Sequence, residues 1–419
     1  MQPETLGASG FPASGLKEIM PAQGARSPQG ARSQAPCIAL VAGEASGDLL
    51  AAHLIEAIGR RIPGARFMGI GGARMQAAGF EAWWPSEKLA VRGYVEVLRH
   101  YREITAIRAQ LAARLLDEKP DLFIGVDAPD FNLDLEIKLR AAGIQTCHFV
   151  SPSVWAWRGG RMEQIRRAAG HMLCLFPFEE KLYADAGIPA TYVGHPLADV
   201  IPAEPDRAAA RAALGLPADA TVVALLPGSR QSELRYLGER FAAAALRMAS
   251  ARPDIHFVVP LASDETEALW REAVANAMAA NPFGSLPPPI MLAPRASHQA
   301  LAACDIAIVA SGTATLETAL FQRPMVIAYN MAPLTWAMMR RMKYQPWVGL
   351  PNILCGEFVV PELLQDDATP ANLAQAALNL LADAPVRARI AARFGVLGAS
   401  LRCGMAARAG ETVARLLMA

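Results

Sequence analysis

The chain has 419 residues, with 40 Lys or Arg against 39 Asp or Glu, so its formal net charge at pH 7 is only +1. The bulk charge therefore gives no footprint of nucleic-acid binding, and no nucleic-acid partner is expected. Hydrophobic residues make up 53% of the chain, yet no run reaches the roughly 18 uninterrupted apolar residues of a membrane-spanning helix. The length favours two domains over one.

Cysteine usage argues against a disulfide framework or a zinc site. The six cysteines are scattered and form no C-x-x-C pair. A reducing cytoplasm is therefore the expected environment, and neither a metal ion nor another cofactor is predicted.

The first 35 residues differ in composition from the rest of the chain. They are rich in Gly, Ala, Pro, Ser and Gln and lack the continuous apolar core of a secretory signal. We predict that residues 1–35 form a disordered extension that takes no part in the fold.

From Cys37 onward, short apolar runs alternate with helical patterns. The runs occupy 37–41, 66–70, 122–126 and 146–150, and after a linker at 201–205 they resume at 221–226, 256–259 and 305–309. Runs that are apolar throughout predict strands of a parallel sheet covered on both faces. We therefore predict an α/β fold with two Rossmann-like parallel-sheet domains facing a cleft, residues 36–200 and 206–400, and a C-terminal helix over 401–419. Ligands of such sheets bind beyond the carboxyl ends of the strands.

The loop Gly43-Glu-Ala-Ser-Gly47 follows the first strand and opens a helix. Backbone N–H groups at a helix N-terminus can bind an anion, which makes Gly43 and Ser46 candidates for holding a phosphate of an acceptor. A tight turn capped by Ser46 or Asp48 is the structural alternative. The loop matches neither G-x-G-x-x-G nor the Walker pattern, so a nicotinamide dehydrogenase and a P-loop ATPase lose their main support.

Two carboxylates and an amide follow the third buried strand, in Gly125-Val-Asp127-Ala-Pro-Asp130-Phe-Asn132. Asp127, at the end of the strand, is expected to point into the cleft. A carboxylate there suits a general base that takes a proton from an attacking hydroxyl. Asp130 is the second candidate for this catalytic role, although it could instead cap the following helix.

The segment Ser151-Pro-Ser-Val-Trp155-Ala-Trp157-Arg158 follows the fourth strand. Its two indoles either pack in the core or form a wall for a sugar or an acyl chain. Arg158 is a candidate for binding a phosphate of the acceptor. The lone histidines His148 and His195 lie near strand ends without clustered ligands, so structural roles are predicted for both.

Two loops of the second half carry the features of a nucleotide-sugar site. Pro227-Gly228-Ser229-Arg230 ends a strand in a glycine turn and places an arginine at a helix start, which suits a diphosphate. In Ser311-Gly312-Thr313, hydroxyl and N–H groups can hold phosphate, while Glu317 can accept hydrogen bonds from ribose hydroxyls. A loose capping box of Thr313 with Glu317 explains part of this pattern without a ligand.

Two further segments mix apolar side chains with basic ones. Residues 89–102 include Val95, Val97 and Leu98, and residues 333–344 include Trp336. Either segment could be an amphipathic helix packed on the core. Either could instead lie on an anionic membrane surface and contact acyl chains.

Six motifs coincide, in order, with those of one protein family. They are Val41-Ala-Gly-Glu-Ala-Ser-Gly-Asp48, Asp127-Ala-Pro-Asp-Phe-Asn132, Val150-Ser-Pro-Ser-Val-Trp-Ala-Trp157, Leu225-Leu-Pro-Gly-Ser-Arg230, Ala310-Ser-Gly-Thr-Ala314 with Glu317, and Leu350-Pro-Asn352. Over about residues 36–415 the chain resembles the bacterial lipid-A-disaccharide synthases. The second and third motifs are highly specific, and the N-terminal extension departs from the family.

The resemblance implies a GT-B fold and an inverting, metal-independent glycosyl transfer. The donor would be UDP-2,3-diacylglucosamine and the acceptor 2,3-diacylglucosamine 1-phosphate, giving the β(1→6)-linked lipid A disaccharide 1-phosphate and UDP. Asn352 joins the residues expected to bind UDP, and Asp127 or Asp130 would be the base. The protein would be cytoplasmic and peripheral on the inner face of the bacterial inner membrane, and a homodimer is compatible with the resemblance.

Two alternatives stay open on the residues alone. A UDP-N-acetylglucosamine 2-epimerase would share the Gly194-His195-Pro196 type of loop and the Ser-Gly-Thr loop, but it would need no exposed apolar helices. A non-catalytic module that binds lipid or nucleotide would release no UDP.

Overall fold

The computed structural model describes residues 35–89, 94–155, 159–280, 290–332, 336 and 345–418, with the backbone alone at Glu87, Gly159 and 94–101. The extension predicted to be disordered, residues 1–35, lies outside this description except for Ala35. Within the described residues, no helix combines the length and the apolar character needed to cross a bilayer.

In the first half, the described residues form a seven-stranded parallel sheet. Its strands are β1 (Cys37–Ala42), β2 (Arg66–Gly71), β3 (Phe80–Pro85), β4 (Leu122–Val126), β5 (Gln145–Phe149), β6 (His171–Cys174) and β7 (Ala190–Tyr192). Its helices are α1 (Ala45–Arg61), α2 (Ala73–Ala77), α3 (Tyr94–Glu118), α4 (Pro129–Ala141), α5 (Met162–Ala168), α6 (Pro177–Asp185) and α7 (Pro196–Val200). The order across the sheet is β3-β2-β1-β4-β5-β6-β7.

The described part of the second half forms a six-stranded parallel sheet of order β10-β9-β8-β11-β12-β13. Its strands are β8 (Thr221–Leu226), β9 (Ile255–Val259), β10 (Ile290–Leu292), β11 (Ile306–Ala310), β12 (Met325–Tyr329) and β13 (Glu362–Leu364). The helices are α8 (Arg207–Ala213), α9 (Gln231–Ala251), α10 (Asp264–Ala279), α11 (Ser297–Ala303), α12 (Thr313–Leu320), α13 (Leu350–Cys355), α14 (Pro370–Ala382), α15 (Ala384–Leu401) and α16 (Met405–Met418). The predicted pair of parallel-sheet α/β halves is confirmed.

The apolar runs are continuous because each sheet is covered on both faces. In β1, Ile38 and Leu40 pack in a core with residues of α1 and α16, whereas Ala39 and Val41 pack in a second core with residues of α3 and α4. All four are fully buried. Neither face of the strand can therefore carry polar side chains.

The last helix returns to the first sheet. Helix α16 packs against α1, and a Cβ atom added at Gly410 would lie 3.0 Å from the Cβ of Ala57, so the two helices approach closely where both residues are small. Residues Pro36–Ala419 form one compact unit by their contacts. The domain boundaries near 200 and 206 accordingly stay a prediction.

Both sheets reverse their strand order at one position, and this reversal sets the location of the site. The reversal falls between β1 and β4 in the first sheet and between β8 and β11 in the second. Loops that leave two such neighbouring strands run in opposite directions and leave a crevice at the carboxyl edge of the sheet. Four of the loops predicted to carry chemistry follow these strands, and a fifth, 151–158, follows the neighbouring strand β5.

The loop after β5 is anchored by a buried carboxylate. Glu179 is 1% exposed and accepts hydrogen bonds from the Trp155 indole Nε1 at 2.9 Å and from the Phe176 N–H at 3.0 Å. Trp155 is itself buried, edge-on to the Phe176 and Phe178 rings. Of the two predicted roles for the indoles, Trp155 therefore has the packing role, and Trp157 lies outside the described residues.

Burial raises the pKa of Glu179 to about 7, and the hydrogen bonds from Phe176, Ser151 and Trp155 oppose this shift only in part. A carboxyl whose pKa is higher in the folded state than in the unfolded state stabilises the fold when it is protonated. This contribution is present below the unfolded pKa near 4.5 and is lost as the pH rises through 7.

We predict that Glu179→Gln gains stability relative to the wild type as the pH rises. The neutral amide keeps an acceptor for Trp155 but cannot ionise, so the difference in unfolding free energy should grow by about 2–3 kcal/mol between pH 5 and pH 8. Urea titrations at the two pH values measure it. Glu180→Gln, at the exposed neighbour on α6, should show no such change. An equal difference for Glu179→Gln at both pH values would contradict the assignment.

Candidate active site

A cavity of about 260 Å³ lies at the carboxyl edge of the second sheet, beside the reversal between β8 and β11. It is lined by Leu226, Gly228, Ser229, Arg230, Glu233, Pro260, Leu261, Ala262, Arg295, Ser297, Ala310, Ser311, Gly312, Thr313, Ala314 and Glu317. The fold thus brings together every residue predicted to bind UDP except Asn352.

The turn after β8 presents backbone donors to this cavity. Gly228 has a φ of +129°, and a Cβ atom there would lie 2.4 Å from the Cβ of Glu233, so the turn requires glycine. The Ser229 and Arg230 N–H groups donate to one carboxylate oxygen of Glu233 at 2.8 and 3.2 Å. The Arg230 guanidinium donates to the other at 3.1 Å. The groups predicted to bind a diphosphate therefore already bind an anionic group of the chain itself.

The loop after β11 differs in detail from the prediction. The Ser311 N–H donates to the Ala328 carbonyl at 2.8 Å within the sheet, so it is unavailable to a phosphate. Helix α12 is capped by Gly312 without a side-chain hydrogen bond, so the predicted capping box of Thr313 with Glu317 does not form. The hydroxyls of Ser311 and Thr313 and the N-terminal turn of α12 remain as the groups that border the cavity.

Glu317 is the carboxylate predicted to accept from ribose. Burial raises its pKa, and the nearby His298, whose Nε2 lies 3.8 Å from a Glu317 oxygen, acts in the opposite direction. The carboxylate borders the cavity one helical turn inside α12. This position is compatible with the predicted contact.

Asn352 has a different position from that predicted. It is fully buried, and its amide donates to the Val360 carbonyl and the Glu362 carboxylate, both at 2.9 Å. Its oxygen accepts from the Val359 and Val360 N–H groups at 2.9 and 3.0 Å. Because these four bonds use the full capacity of the side chain, Asn352 supports α13 and β13 and is not included in the proposed UDP site.

Three polar or charged lining residues escaped the sequence analysis. Arg295 follows the short strand β10 with a left-handed φ of +57°, and Ser297 begins α11 two residues later. Glu233 belongs to none of the predicted motifs and lies in the first turn of α9. An arginine and a serine just past the end of a strand were the available signal, but the three-residue strand gave too short an apolar run to locate it.

A second cavity, of about 380 Å³, lies at the carboxyl edge of the first sheet. It is lined by Asp127, Pro129, Asp130, Val150, Ser151, Pro152, Ser153, Val154 and Arg161. Both candidate bases thus border one cavity, together with Arg161, which the sequence analysis missed. Three non-glycine residues at this edge have left-handed backbones, with φ values of +52° at Asp127, +43° at Ala128 and +78° at Val150. Such strained backbones concentrate at functional sites.

The two candidate carboxylates differ in their electrostatic surroundings. Asp130 is 81% exposed and forms an ion pair with Arg161, so its charge is partly neutralised. It lies in the first turn of α4, whose N-cap is Ala128 rather than Asp130. Asp127 is half-buried, and within the part of the chain that the structure describes its carboxylate forms no ion pair. Of the two carboxylates, Asp127 therefore stays the first candidate for the base.

The loop after β1 borders the Asp127 turn. A Cβ atom added at Gly43 would lie 3.6 Å from the Cβ of Ala128, which leaves only van der Waals separation between the two loops. Ser46 is exposed inside α1, which has no side-chain cap. The alternative of a cap from Ser46 or Asp48 is wrong, because Asp48 instead accepts from the Gly72, Arg74 and Met75 N–H groups at 2.8–3.2 Å, around the start of α2.

Several predicted residues cannot be placed at either cavity. Arg158 lies outside the described residues, and Val95, Val97 and Leu98 lie on α3 in the part where only the backbone is described. Trp336 is half-buried, with its ring centroid 6.2 Å from that of Tyr329. Among the residues with described side chains, no group of three or more His, Cys, Asp or Glu could hold a metal ion.

The two lone histidines have structural partners. His195 is buried, caps α7 by accepting from the Leu197 N–H at 3.2 Å and stacks on Phe176, and burial lowers its pKa to about 4. His148 is fully buried, and its Nδ1 lies 2.7 Å from a carboxylate oxygen of Glu136. Neither histidine borders the two cavities.

Known proteins relate to this chain at two levels of similarity. The family model of lipid-A-disaccharide synthetase matches residues 38–394. The lipid-A-disaccharide synthase of Aromatoleum aromaticum is 56% identical over 376 residues, covering 90% of this chain and 95% of that protein. That of an Azoarcus species is 56% identical over 379 residues, with 90% and 95% coverage.

Solved structures share the fold at much lower identity. A glycosyltransferase of kitacinnamycin has a TM-score of 0.58 at 17% identity, covering 91% of this chain and 99% of that chain. UDP-GlcNAc 2-epimerase from Neisseria meningitidis, bound to UDP-GlcNAc, has a TM-score of 0.58 at 11% identity, with 91% and 99% coverage. Anabaena HepE in complex with UDP and glucose has a TM-score of 0.52 at 13% identity, again with 91% and 99%.

These structural neighbours confirm the predicted GT-B fold but include both a glycosyltransferase and an epimerase. Sequence identity separates the two, since the relatives that share more than half of their residues with this chain are lipid-A-disaccharide synthases. The matched residues, 38–394, include the loops at both strand reversals. The chain belongs to the lipid-A-disaccharide synthetase family of glycosyltransferases.

Proposed function

We propose that the protein is an inverting glycosyltransferase of lipid A biosynthesis. It joins UDP-2,3-diacylglucosamine to 2,3-diacylglucosamine 1-phosphate and releases the β(1→6)-linked lipid A disaccharide 1-phosphate and UDP. The observation that carries the proposal is a cavity at the carboxyl edge of each sheet: one is lined by a carboxylate that forms no ion pair with the described residues, and the other by arginine and backbone donors. Family membership supplies the class of substrates.

In this proposal UDP occupies the cavity of the second sheet. Arg230 and Arg295 supply positive charge, the Ser229 and Arg230 N–H groups bind the diphosphate, and Glu317 accepts from the ribose hydroxyls. Because the Glu233 carboxylate now binds these N–H groups, the diphosphate must replace it. The exchange of one anion for another preserves the hydrogen bonds of the turn while a bidentate phosphate contact to arginine forms.

The acceptor occupies the cavity of the first sheet. Asp127 takes the proton from the 6-hydroxyl of the acceptor while the hydroxyl oxygen bonds to the anomeric carbon of the donor. The bond from that carbon to UDP breaks, and its electron pair stays on the phosphate oxygen of UDP. Attack on the face opposite UDP inverts the configuration. Arg161 and the hydroxyls of Ser151 and Ser153 border this cavity and are candidates for the acceptor's phosphate. Of the residues predicted for that phosphate, Gly43 lies beside the Asp127 turn, whereas Ser46 is exposed on α1.

The location of the protein in the cell and its assembly are also part of the proposal. The lipid substrates require a protein that works at a membrane surface, and the inner face of the inner membrane is where a cytoplasmic, peripheral enzyme would meet them. The homodimer compatible with the family resemblance stays a prediction.

Asp127→Asn and Arg230→Ala should fail in different ways. Asp127→Asn keeps the shape of the side chain but removes the base, so turnover should fall about 10²–10⁴-fold while the affinity for UDP is retained. Arg230→Ala removes a contact that is present in the ground state and strengthens as UDP leaves. Both UDP affinity and turnover should therefore fall, by about 2–4 kcal/mol in transition-state stabilisation.

Calorimetric titration with UDP and initial rates of disaccharide formation by mass spectrometry separate these two roles. Asp134→Asn on α4 and the exposed Arg235→Ala on α9 are matched controls that should leave both quantities near the wild type. If Asp127→Asn keeps more than about a tenth of the activity, the base is elsewhere and Asp130 is the next residue to change.

The reaction should survive EDTA. The charge on the leaving UDP is assigned here to arginine and backbone N–H groups rather than to a divalent cation. Initial rates with and without the chelator test the assignment. Loss of activity on chelation that magnesium or manganese restores would overturn it.

The protein should co-sediment with anionic vesicles through the start of α3. Replacing Val95, Val97 and Leu98 together with Ser removes three apolar side chains and should weaken the association at unchanged thermal stability. Leu116→Ser, at an exposed apolar position of the same helix (39% exposed), is the control. Vesicle binding that survives the triple substitution would show that another surface contacts the membrane.

A further inference from the structure

Both backbone groups of Asp127 are held from outside its own turn. Its N–H donates to the Phe149 carbonyl at the end of β5 at 2.8 Å. Its carbonyl accepts from the side-chain amide of Asn132 on α4, also at 2.8 Å. The Asn132 amide lies within 3.5 Å of the carbonyls of Val41 and Val126 as well, at the ends of β1 and β4. The left-handed turn that carries the carboxylate is thus fixed from two sides.

A buried hydrogen bond joins these two supports. Glu136 lies one helical turn after Asn132, and His148 immediately precedes Phe149. The His148 Nδ1 and a Glu136 carboxylate oxygen are 2.7 Å apart, and both side chains are fully buried. Asp127 and its supports therefore form a closed ring, with Phe149 and His148 on one side of Asp127 and Asn132 and Glu136 on the other.

Gly125 makes room for this ring. It pairs in register with His148 in the sheet. A Cβ atom at Gly125 would lie 2.1 Å from the Glu136 carboxylate and 2.9 Å from the Cβ of Asn132. The glycine two residues before Asp127 is thus required by the side chains behind the site, not by the conformation of the strand.

The ring buries polar atoms without hydrogen-bond partners, which packing alone does not explain. Within the described residues, three buried side-chain atoms lack a hydrogen-bond partner, namely the Asn132 oxygen, one Glu136 oxygen and His148 Nε2. All three belong to the ring. Buried polar groups are almost always satisfied, and well-packed apolar side chains of similar volume are often as stable as a buried polar pair. The position of these three atoms directly behind a strained turn therefore points to a role at the site.

We propose that Asn132, Glu136 and His148 are positioning residues that hold the Asp127 carboxylate at the acceptor hydroxyl. The inference rests on the proposed role of Asp127 as the base. The three side chains do not border the acceptor cavity, so they act on the reaction through Asp127 alone. Their loss should lower turnover and leave both substrates bound.

The test uses Glu136→Leu, which breaks the ring, and Glu136→Gln, which can keep the hydrogen bond to His148. Glu136→Leu should lower kcat about 10²-fold, because a small displacement of a reacting group has effects of this size, and Glu136→Gln should recover most of the loss. The acceptor KM and the affinity for UDP should change less than about threefold in both. Thr146→Val is the matched control, since it removes a buried hydrogen bond, of 2.7 Å to the Ala168 carbonyl, at the other end of β5.

Thermal unfolding of each variant separates stability from positioning. If Glu136→Leu behaves like Thr146→Val, losing stability at unchanged kcat, the ring is structural and the inference fails. Should Glu136→Leu not fold, Gly125→Ala displaces the same carboxylate without changing any polar group, and it must then show the fall in kcat for the inference to stand.

A double-mutant cycle with Asp127→Asn distinguishes this inference from the proposed function. In that background Glu136→Leu should add less than about threefold, because the group on which it acts is gone. Losses that multiply would overturn the inference and leave the base assignment intact. An active Asp127→Asn enzyme would overturn the base assignment and the inference with it.

Discussion

The reversal of strand order in each parallel sheet is the constraint on which the site depends. Parallel strands buried on both faces leave only their edges for polar chemistry, and the reversal opens a crevice at the carboxyl edge. The loops after β1 and β4 meet at one reversal, and those after β8 and β11 meet at the other. The cavity of the first sheet is lined by the two candidate bases, Asp127 and Asp130, and that of the second by Arg230, Arg295 and backbone donors. In the proposed reaction, the base and the anion-binding groups therefore come from different halves.

Some charged groups at the two cavities have a counterpart within the chain. Glu233 accepts from the Ser229 and Arg230 N–H groups, and Arg161 forms an ion pair with Asp130. Asp127 differs from Asp130, because it is held through its backbone while its carboxylate forms no ion pair with the described residues. A base needs a fixed position and a charge that no neighbouring cation neutralises, and the Asp127 carboxylate combines these two properties among the described residues.

The sequence predicted the parallel sheets and the loops at their reversals, because apolar runs and glycine turns are local signals. It also placed Asp127 and Arg230 in separate halves. It could not predict the hydrogen bonds of Asn352 to Val359, Val360 and Glu362, because the sequence does not show where that side chain points. Nor could it predict that Arg295 lines the cavity of the second sheet, because this depends on contacts between distant segments. The ring behind Asp127 could not be predicted either, because it joins residues of different elements of the fold. Glu136 has the spacing of an ordinary helix residue, and only the fold brings it to His148.

The central claim is that one base in the first half drives direct displacement of UDP held in the second. The stereochemistry of the product tests it most directly, because a single displacement inverts the anomeric centre, whereas two displacements retain it. The wild-type protein would be incubated with UDP-2,3-diacylglucosamine and 2,3-diacylglucosamine 1-phosphate, and the product analysed by mass spectrometry and proton NMR of the new linkage. The account predicts one β(1→6)-linked disaccharide 1-phosphate for each UDP released. An α linkage, or release of UDP with no disaccharide, would contradict it.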